Sequence, residues 1–258
     1  MGLFSSLFDK DGREARTRQK LVGRALNKYA QSVDRMKALE TLLEDGSPDA
    51  LFGMLRRFGM MYDKTIEDEQ EKDWVFDVLV NKGTAVLEPV KRYLFSADSV
   101  SWPLRVLDKV ASKEQELEIL KAVLERHEPG YERDPTKKIQ LMNHIGALKE
   151  PAHGPLVAPY LGDMDEGVRY AAVEALVRLK NEEASREPLL ELFVSDKEES
   201  LRIRIRIAEG FAELGWLVHG HRGTVEKKLP EQFQLDREGH VKRKVTKPEA
   251  KTEAKTED

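Results

Sequence analysis

The sequence predicts an all-α fold, a right-handed α–α superhelix (solenoid) of about six helical pairs with a small C-terminal β-hairpin. Three observations lead there. Residues 165–179, "DEGVRYAAVEALVRL", place Val168, Ala172, Ala175, Leu176 and Leu179 at i, i+4, i+7, i+8 and i+11, the spacing of one apolar helix face. Pro155-Leu156-Val157, Tyr160-Leu161 and Asp163 return 33 positions later as Pro188-Leu189-Leu190, Phe193-Val194 and Asp196. A looser copy, Pro89-Val90, Tyr93-Leu94 and Asp98, lies about two periods earlier. Turn signals at Gly46-Ser47-Pro48, Gly83-Thr84, Pro129-Gly130, Asp134-Pro135 and Pro151 cut the chain into lengths that each suit one helix.

In chain order, residues 1–12 form an apolar N-terminal segment carrying Leu3, Phe4, Leu7 and Phe8, and a basic helix or cap follows at 13–30. The helical array covers 31–216. First helices of its pairs begin near residues 32, 67, 98, 135, 165 and 198, and second helices fall at about 48–61, 84–96, 113–127, 153–162 and 184–195. Residues 217–245 hold a short helix stopped by Pro230 and a hairpin in "QFQLDREGHVKRK" around Asp236-Arg237-Glu238-Gly239. Residues 246–258, with almost no apolar side chains, are expected to form a disordered tail.

The stretch "SLRIRIRIAEG", residues 200–210, tests this reading, because Leu201, Ile203, Ile205 and Ile207 alternate with Arg202, Arg204 and Arg206 as in a half-buried strand. Wound as a helix, Ile203, Ile207, Gly210 and Leu214 make the same stripe that Val168, Ala172, Ala175 and Leu179 make 35 positions earlier. Arg202, Arg206, Glu209 and Glu213 then share a polar face on which Arg206 and Glu209 can pair. A strand would leave "AEGFAELG" without a role, whereas a helix runs on to a stop at Gly215. The helix is preferred.

At "LGDMDEGVRYAAVEALVRL" the residues Asp163, Val168-Arg169, Ala171-Ala172 and Ala175-Leu176 resemble the HEAT-type repeat, in particular the short form of phycobilisome-lyase-like proteins. The resemblance is strongest over residues 150–216 and implies stacked pairs with a long face for a partner. It also implies a ladder in which an Asp in a turn and an Arg on the next first helix tie neighbouring repeats together. Asp163 with Arg169 and Asp196 with Arg204 occupy those places; spacing alone would select Arg202 for the second rung, but Arg204 lies beside the apolar stripe.

Composition limits the chemistry. Charged residues are 35% and apolar residues 40% of 258, a mix suited to amphipathic helices in water. With 43 Lys and Arg against 47 Asp and Glu, the net charge of −4 offers no general attraction to nucleic acid, which is not favoured as a partner. The lack of cysteine removes disulfides, thiolate nucleophiles and Cys-ligated zinc. No apolar run approaches the ~18 residues of a membrane span, and "MGLFSSLFDK" lacks the marks of a secretory signal. A cytoplasmic protein is expected.

Arg16, Lys20, Arg24 and Lys28 repeat at i, i+4, where like charges repel. They are candidate contacts for an anionic partner, or else a solvated face, or a face answered within the chain by Glu67, Asp68, Glu69, Glu71 and Asp73. The apolar residues 3–8 suit a cap on the first pair, with membrane contact, helped by a Gly2/Ser6 myristoylation pattern, and binding of a partner as less favoured alternatives. His219 and His221 have no third ligand nearby, and His127-Glu128 is a single pair where the HEAT-repeat deoxyhypusine hydroxylases use several, so no metal is expected. Trp74 and Asp77, with Trp102 and Trp216, offer the pieces but not the spacing of a HEAT-like alkylpurine DNA glycosylase, and a bilin lyase rests on fold analogy alone. The reading is therefore a non-catalytic adaptor or scaffold that binds protein through its helical surface and needs no cofactor. The alternatives are a repeat-fold enzyme of those two types and a peripheral membrane adaptor acting through residues 1–30.

Overall fold

The computed structural model describes residues 3–244, with side chains from residue 12 onward. The side chains of the apolar patch Leu3, Phe4, Leu7 and Phe8, and the tail expected from residue 246, lie outside what is described. The chain divides into two compact units, residues 1–145 and 146–258.

Unit 1 opens with α1 (Leu3–Ala25) and α2 (Ser32–Asp45), then α3 (Pro48–Leu55) continued by a 3-10 turn at Arg56–Gly59. α4 (Thr65–Asn81) and a 3-10 turn at Gly83–Val86 lead to α5 (Leu87–Ser96), followed by α6 (Ser101–Val110), α7 (Lys113–Leu124) and α8 (Thr136–Leu148), within which the division falls. Local chemistry sets the ends. Ser47 accepts the Ala50 N–H with Pro48 in the first turn, Gly46 takes the left-handed conformation (φ 62°) after α2, and Ser112 and Gln115 close a capping box on α7. First helices lie on first helices (α2 on α4, α4 on α6) and second on second (α3 on α5, α5 on α7), while α1 covers α2 and α3. Leu39, Leu42, Leu51, Met54, Leu79, Leu94, Leu104 and Leu107 fill the space between the two layers.

Unit 2 begins with three short turns, Pro151–His153, α9 (Gly154–Val157) and Ala158–Gly162. Pro151, Pro155 and Pro159 recur every four residues, and each lacks the N–H of a regular helix. α10 (Glu166–Leu179), α11 (Glu182–Val194), α12 (Leu201–Leu214) and α13 (Arg222–Lys228) follow, then strands β1 (Phe233–Leu235) and β2 (Val241–Arg243). α10 lies on α12, α11 lies on the Ala158–Gly162 turn and on α13, and β2 covers α12. The hairpin is antiparallel with Phe233, Gln234 and Leu235 opposite Arg243, Lys242 and Val241. Its buried Phe233 and Val241 join Trp216, Val218 and Val225 to close the unit.

The alternating segment is helical. α12 buries Ile203, Ile207, Gly210 and Phe211 and starts at Leu201, three residues after the expected point, because Ser200 accepts the Ile203 N–H as its cap. Two glycines set how closely helices meet in unit 2. A Cβ on Gly146 would stand 2.7 Å from the Ala175 Cα, and one on Gly210 would stand 2.5 Å from a Val177 methyl.

These contacts predict different outcomes for one substitution. Alanine is the better helix former by ~1 kcal/mol, yet Gly146→Ala meets backbone that cannot rotate away and should destabilise by about 1–3 kcal/mol in urea melts. Gly210→Ala meets only a side chain, so adding Val177→Ala should recover much of its loss.

Candidate protein-interaction surface

The turns of unit 1 that lead into α2 and α4 are built on buried charge. Arg57, at the end of α3, is fully buried; its Nη2 donates to Asp68 Oδ1 at 2.6 Å and its Nε to Glu71 Oε2 at 3.0 Å. Arg35 of α2 donates Nε to Glu71 Oε1 at 3.0 Å, Ser32 Oγ donates to the same oxygen at 3.0 Å, and Lys72 Nζ donates to Asp68 Oδ2 at 2.7 Å. Both guanidinium groups lie over the Tyr62 ring, that of Arg35 4.3 Å and that of Arg57 3.9 Å from its centroid, and the Tyr62 hydroxyl donates to the Ala25 carbonyl at 2.8 Å. Five charged side chains thus join α2, the turn that ends α3, and α4, and Tyr62 ties the end of α1 to them.

Electrostatics favours the ionised cluster. Burial works against the Glu71 carboxylate, but hydrogen bonds from Arg35, Arg57 and Ser32 outweigh it and hold Glu71 below the usual carboxylate range. Asp68 is likewise lowered, because bonds from Lys72 and Arg57 overcome its desolvation. Burial pushes the Tyr62 phenol up. Of the acidic stretch on α4, Asp68 and Glu71 therefore answer Arg35, Arg57 and Lys72, and Glu67 pairs with Lys64 at 2.9 Å.

Above this base lies an open groove of about 430 Å³, bordered by Lys28, Tyr29, Ser32, Arg35, Tyr62 and Glu67. Tyr29, 86% exposed, borders it, and three more large exposed apolar side chains each follow or precede a bordering residue in sequence: Met61 at 83% beside Tyr62, Ile66 at 75% beside Glu67 and Val33 at 68% beside Ser32. Among the described residues the others of this kind are Tyr131 in unit 1 and Met164 and Leu201 in unit 2. Every one of them sits in a turn leading into the first helix of a pair, or in that helix's opening turn. The turns inside pairs, at 46–47, 82, 111–112 and 180–181, carry none. Val33, Ile66 and Trp102 hold the second position of α2, α4 and α6, with Trp102 half-buried and stacked on Phe58 at 5.3 Å.

In unit 2, Arg169 Nη1 donates to the Asp163 carbonyl at 3.0 Å and to the Met164 carbonyl at 3.1 Å, and Nε donates to Glu198 Oε2 at 2.8 Å. Glu198, in the turn before α12, supplies the carboxylate that joins this arginine to the next pair; sequence reasoning passed over it. Its side chain is wholly buried, and despite that burial the Arg169 pair and the Ser200 N–H hold its carboxyl below the usual range. Asp163 Oδ1 accepts the Asp165 N–H at 2.9 Å, fixing the turn. Arg204 donates to the carbonyls of Phe193, Ser195 and Glu198, and the Asp196 carboxylate receives Lys228 Nζ at 2.6 Å.

The remaining candidates are dispersed. Arg16, Lys20 and Arg24 are exposed on α1, and Lys28 Nζ lies 5.0 Å from the Tyr29 ring centroid. His221 Nε2 is 2.7 Å from Glu187 Oε1, His219 is exposed, and His127 Nδ1 is 2.9 Å from Glu132 Oε1. Trp74 is half-buried and Asp77 exposed on α4, and Trp216 meets Phe211 edge-on. Asp236, Glu238 and His240 bring ligand atoms within 4.8 Å of one another at the hairpin turn, where Asp236 Oδ1 accepts the N–H groups of Glu238, Gly239 and His240. That is the work of a turn-forming Asp. Among the described residues, no helix is long and apolar enough to cross a membrane.

Residues 117–208 match the family model for HEAT repeats. The match covers less than half of the chain and supports a HEAT-like repeat character over that segment. The match starts earlier than the sequence resemblance, taking in most of α7 and all of α8. A search of the curated proteins finds no match. HEAT repeats commonly serve as protein-interaction scaffolds and are generally non-catalytic.

Two stability predictions follow from the charged turns. Glu198→Ala would leave Arg169 without its carboxylate and should cost about 3 kcal/mol in urea melts. Glu71 and Asp68 titrate lower in the fold than in the unfolded chain, where carboxyls titrate near ~4. Their contribution is therefore complete above that value and drains away as the pH falls through the folded ones. Glu71→Gln should destabilise by about 3–5 kcal/mol at neutral pH, and the gap to wild type should narrow in melts taken as the pH falls below ~4.

Proposed function

We propose that the protein is a non-catalytic adaptor that binds a protein partner along the turns leading into α2, α4 and α6. The observation that supports this most directly is that Tyr29, Val33, Met61 and Ile66, 68–86% exposed, all lie in the turns leading into α2 and α4 or in the opening turns of those helices, with Tyr29 bordering the groove. Large apolar side chains left in water at one edge mark an interaction surface more than they mark a fold. Aromatic residues and Met are also the types that interfaces favour. The charged cluster beneath supports the reading further, since an anchored turn presents these side chains with little ordering left to lose on binding. The reading places the adaptor in the cytoplasm, in keeping with a chain that has no cysteine.

Photo-crosslinking in the native cell tests the proposal. A photoreactive residue at position 61 or 66 should capture one partner in stoichiometric yield, and one at position 46 or 82 should not. Met61→Asp with Ile66→Asp should lower recovery of that partner by about tenfold or more, as loss of two central apolar contacts does, and leave the thermal melt unchanged. Equal capture from both edges, or recovery unaffected by the aspartates, would refute the edge as the binding surface.

A further inference from the structure

α1 carries a surface that the repeats do not use. Its last turns face α2 and α3, burying Val22 and Ala25, and Arg18 is held by Asp45 at 3.0 Å and Asp49 at 3.5 Å. At roughly 100° per residue, Arg16, Lys20 and Arg24 fall on the opposite side of the helix. All three are exposed, and among the described residues no carboxylate pairs with any of them. The acid nearest in sequence, Glu14, is turned to Arg18 at 3.7 Å. Like charges at this spacing repel one another, so the row weakens the isolated helix, and among the described residues no ion pair offsets that.

The residues beside the row narrow the choice of partner. Gly12 and Gly23 are exposed interior positions of α1 at which an added Cβ would meet nothing within 4 Å. The fold has no steric need of either glycine, although each weakens the helix relative to alanine. With Ala15 they leave low points beside the cationic row, where a second backbone can come close. No aromatic side chain stands among residues 12–25 for a base to stack on, and the chain as a whole carries a charge of −4, which disfavours a polyanion such as nucleic acid. The row side of residues 12–24 also offers no apolar side chain to enter a bilayer.

We propose that α1 docks an acidic α-helix of a partner protein, whose carboxylates at i, i+4 pair with Arg16, Lys20 and Arg24 while its backbone lies over Gly12 and Gly23. The proposal rests on the protein-binding reading but uses a different surface. Its test needs only the purified full chain, so its failure is distinct from failure at the Met61 edge.

The probe is a lactam-stapled, alanine-based helical peptide of about 20 residues with Glu at every fourth position. It is titrated at low salt, beside phosphatidylserine vesicles and a short DNA duplex. The peptide should bind, weaken as salt rises past the Debye screening range, and lose about tenfold or more in affinity to the Arg16→Glu/Lys20→Glu/Arg24→Glu chain. Gly23→Leu should weaken the peptide severalfold and leave vesicle and DNA binding unchanged, and Met61→Asp should leave peptide binding unchanged. Both α1 variants should melt close to wild type, because the three cations have no ion pair among the described residues and a Cβ at Gly23 would meet nothing within 4 Å. Peptide affinity unaltered by charge reversal or by Gly23→Leu would overturn the proposal. So would absence of peptide binding, or tighter binding of vesicles or duplex than of peptide.

Discussion

A helical pair of this kind has apolar surface on both of its flanks, and that constraint governs the structure. One pair can cover only one flank of another, so every pair needs a neighbour on each side, and the last surfaces in line need something else. In unit 1 the first of these is covered by α1, and in unit 2 α12 is covered by β2. Small residues decide how near the neighbours come. Where Gly146 meets Ala175 and Gly210 meets Val177, the helices approach closely enough that dispersion contacts replace side-chain bulk.

Stacking by apolar faces fixes layers but leaves the turns between pairs undetermined, and the two units settle them by charge. In unit 1, three cations converge on two carboxylates beneath the Met60–Lys64 turn. In unit 2, Arg169 ties the turn before α10 to the turn before α12 through Glu198. A buried ion pair contributes little net stability against an apolar replacement. Its directional hydrogen bonds do, however, select one path for the backbone, which apolar packing cannot. The exposed side chains of Tyr29 and Met61 owe their positions to that selection.

Much of the architecture was legible because periodicity reports burial directly. The stripe of Ile203, Ile207 and Gly210 identified α12 as a helix even though its arginines alternate like a strand, and Pro48, Gly46 and Gly215 marked ends by their backbone preferences. The charged turns were not legible. Arg57 follows Arg56 in an otherwise apolar run, and nothing local says that one is fully buried while the other is exposed; the difference is made by Asp68 and Glu71, more than ten residues away. Glu198 was hidden in the same way among Glu199 and Lys197, its partner Arg169 lying in the previous pair. The best available signal for Arg57 was its company, Met54, Leu55 and Phe58, since a cation inside an apolar run must find a counter-charge or leave the core.

The division between packing and display bears on how such a chain can acquire partners. Side chains between the layers are constrained from both flanks, so a change at Ala175 or Val177 is felt by the neighbouring pair. Tyr29, Val33, Met61 and Ile66 are constrained by neither: their backbone is fixed from below by Arg35, Arg57 and Tyr62, and their side chains project into water. Residues there can vary without disturbing the stack, provided the charged base stays intact. The same logic holds for the outer side of α1, whose inner side alone is committed to α2 and α3. Under the proposed function, binding specificity and folding stability draw on separate sets of residues that meet at the buried cluster, so a substitution in that cluster should disturb both together.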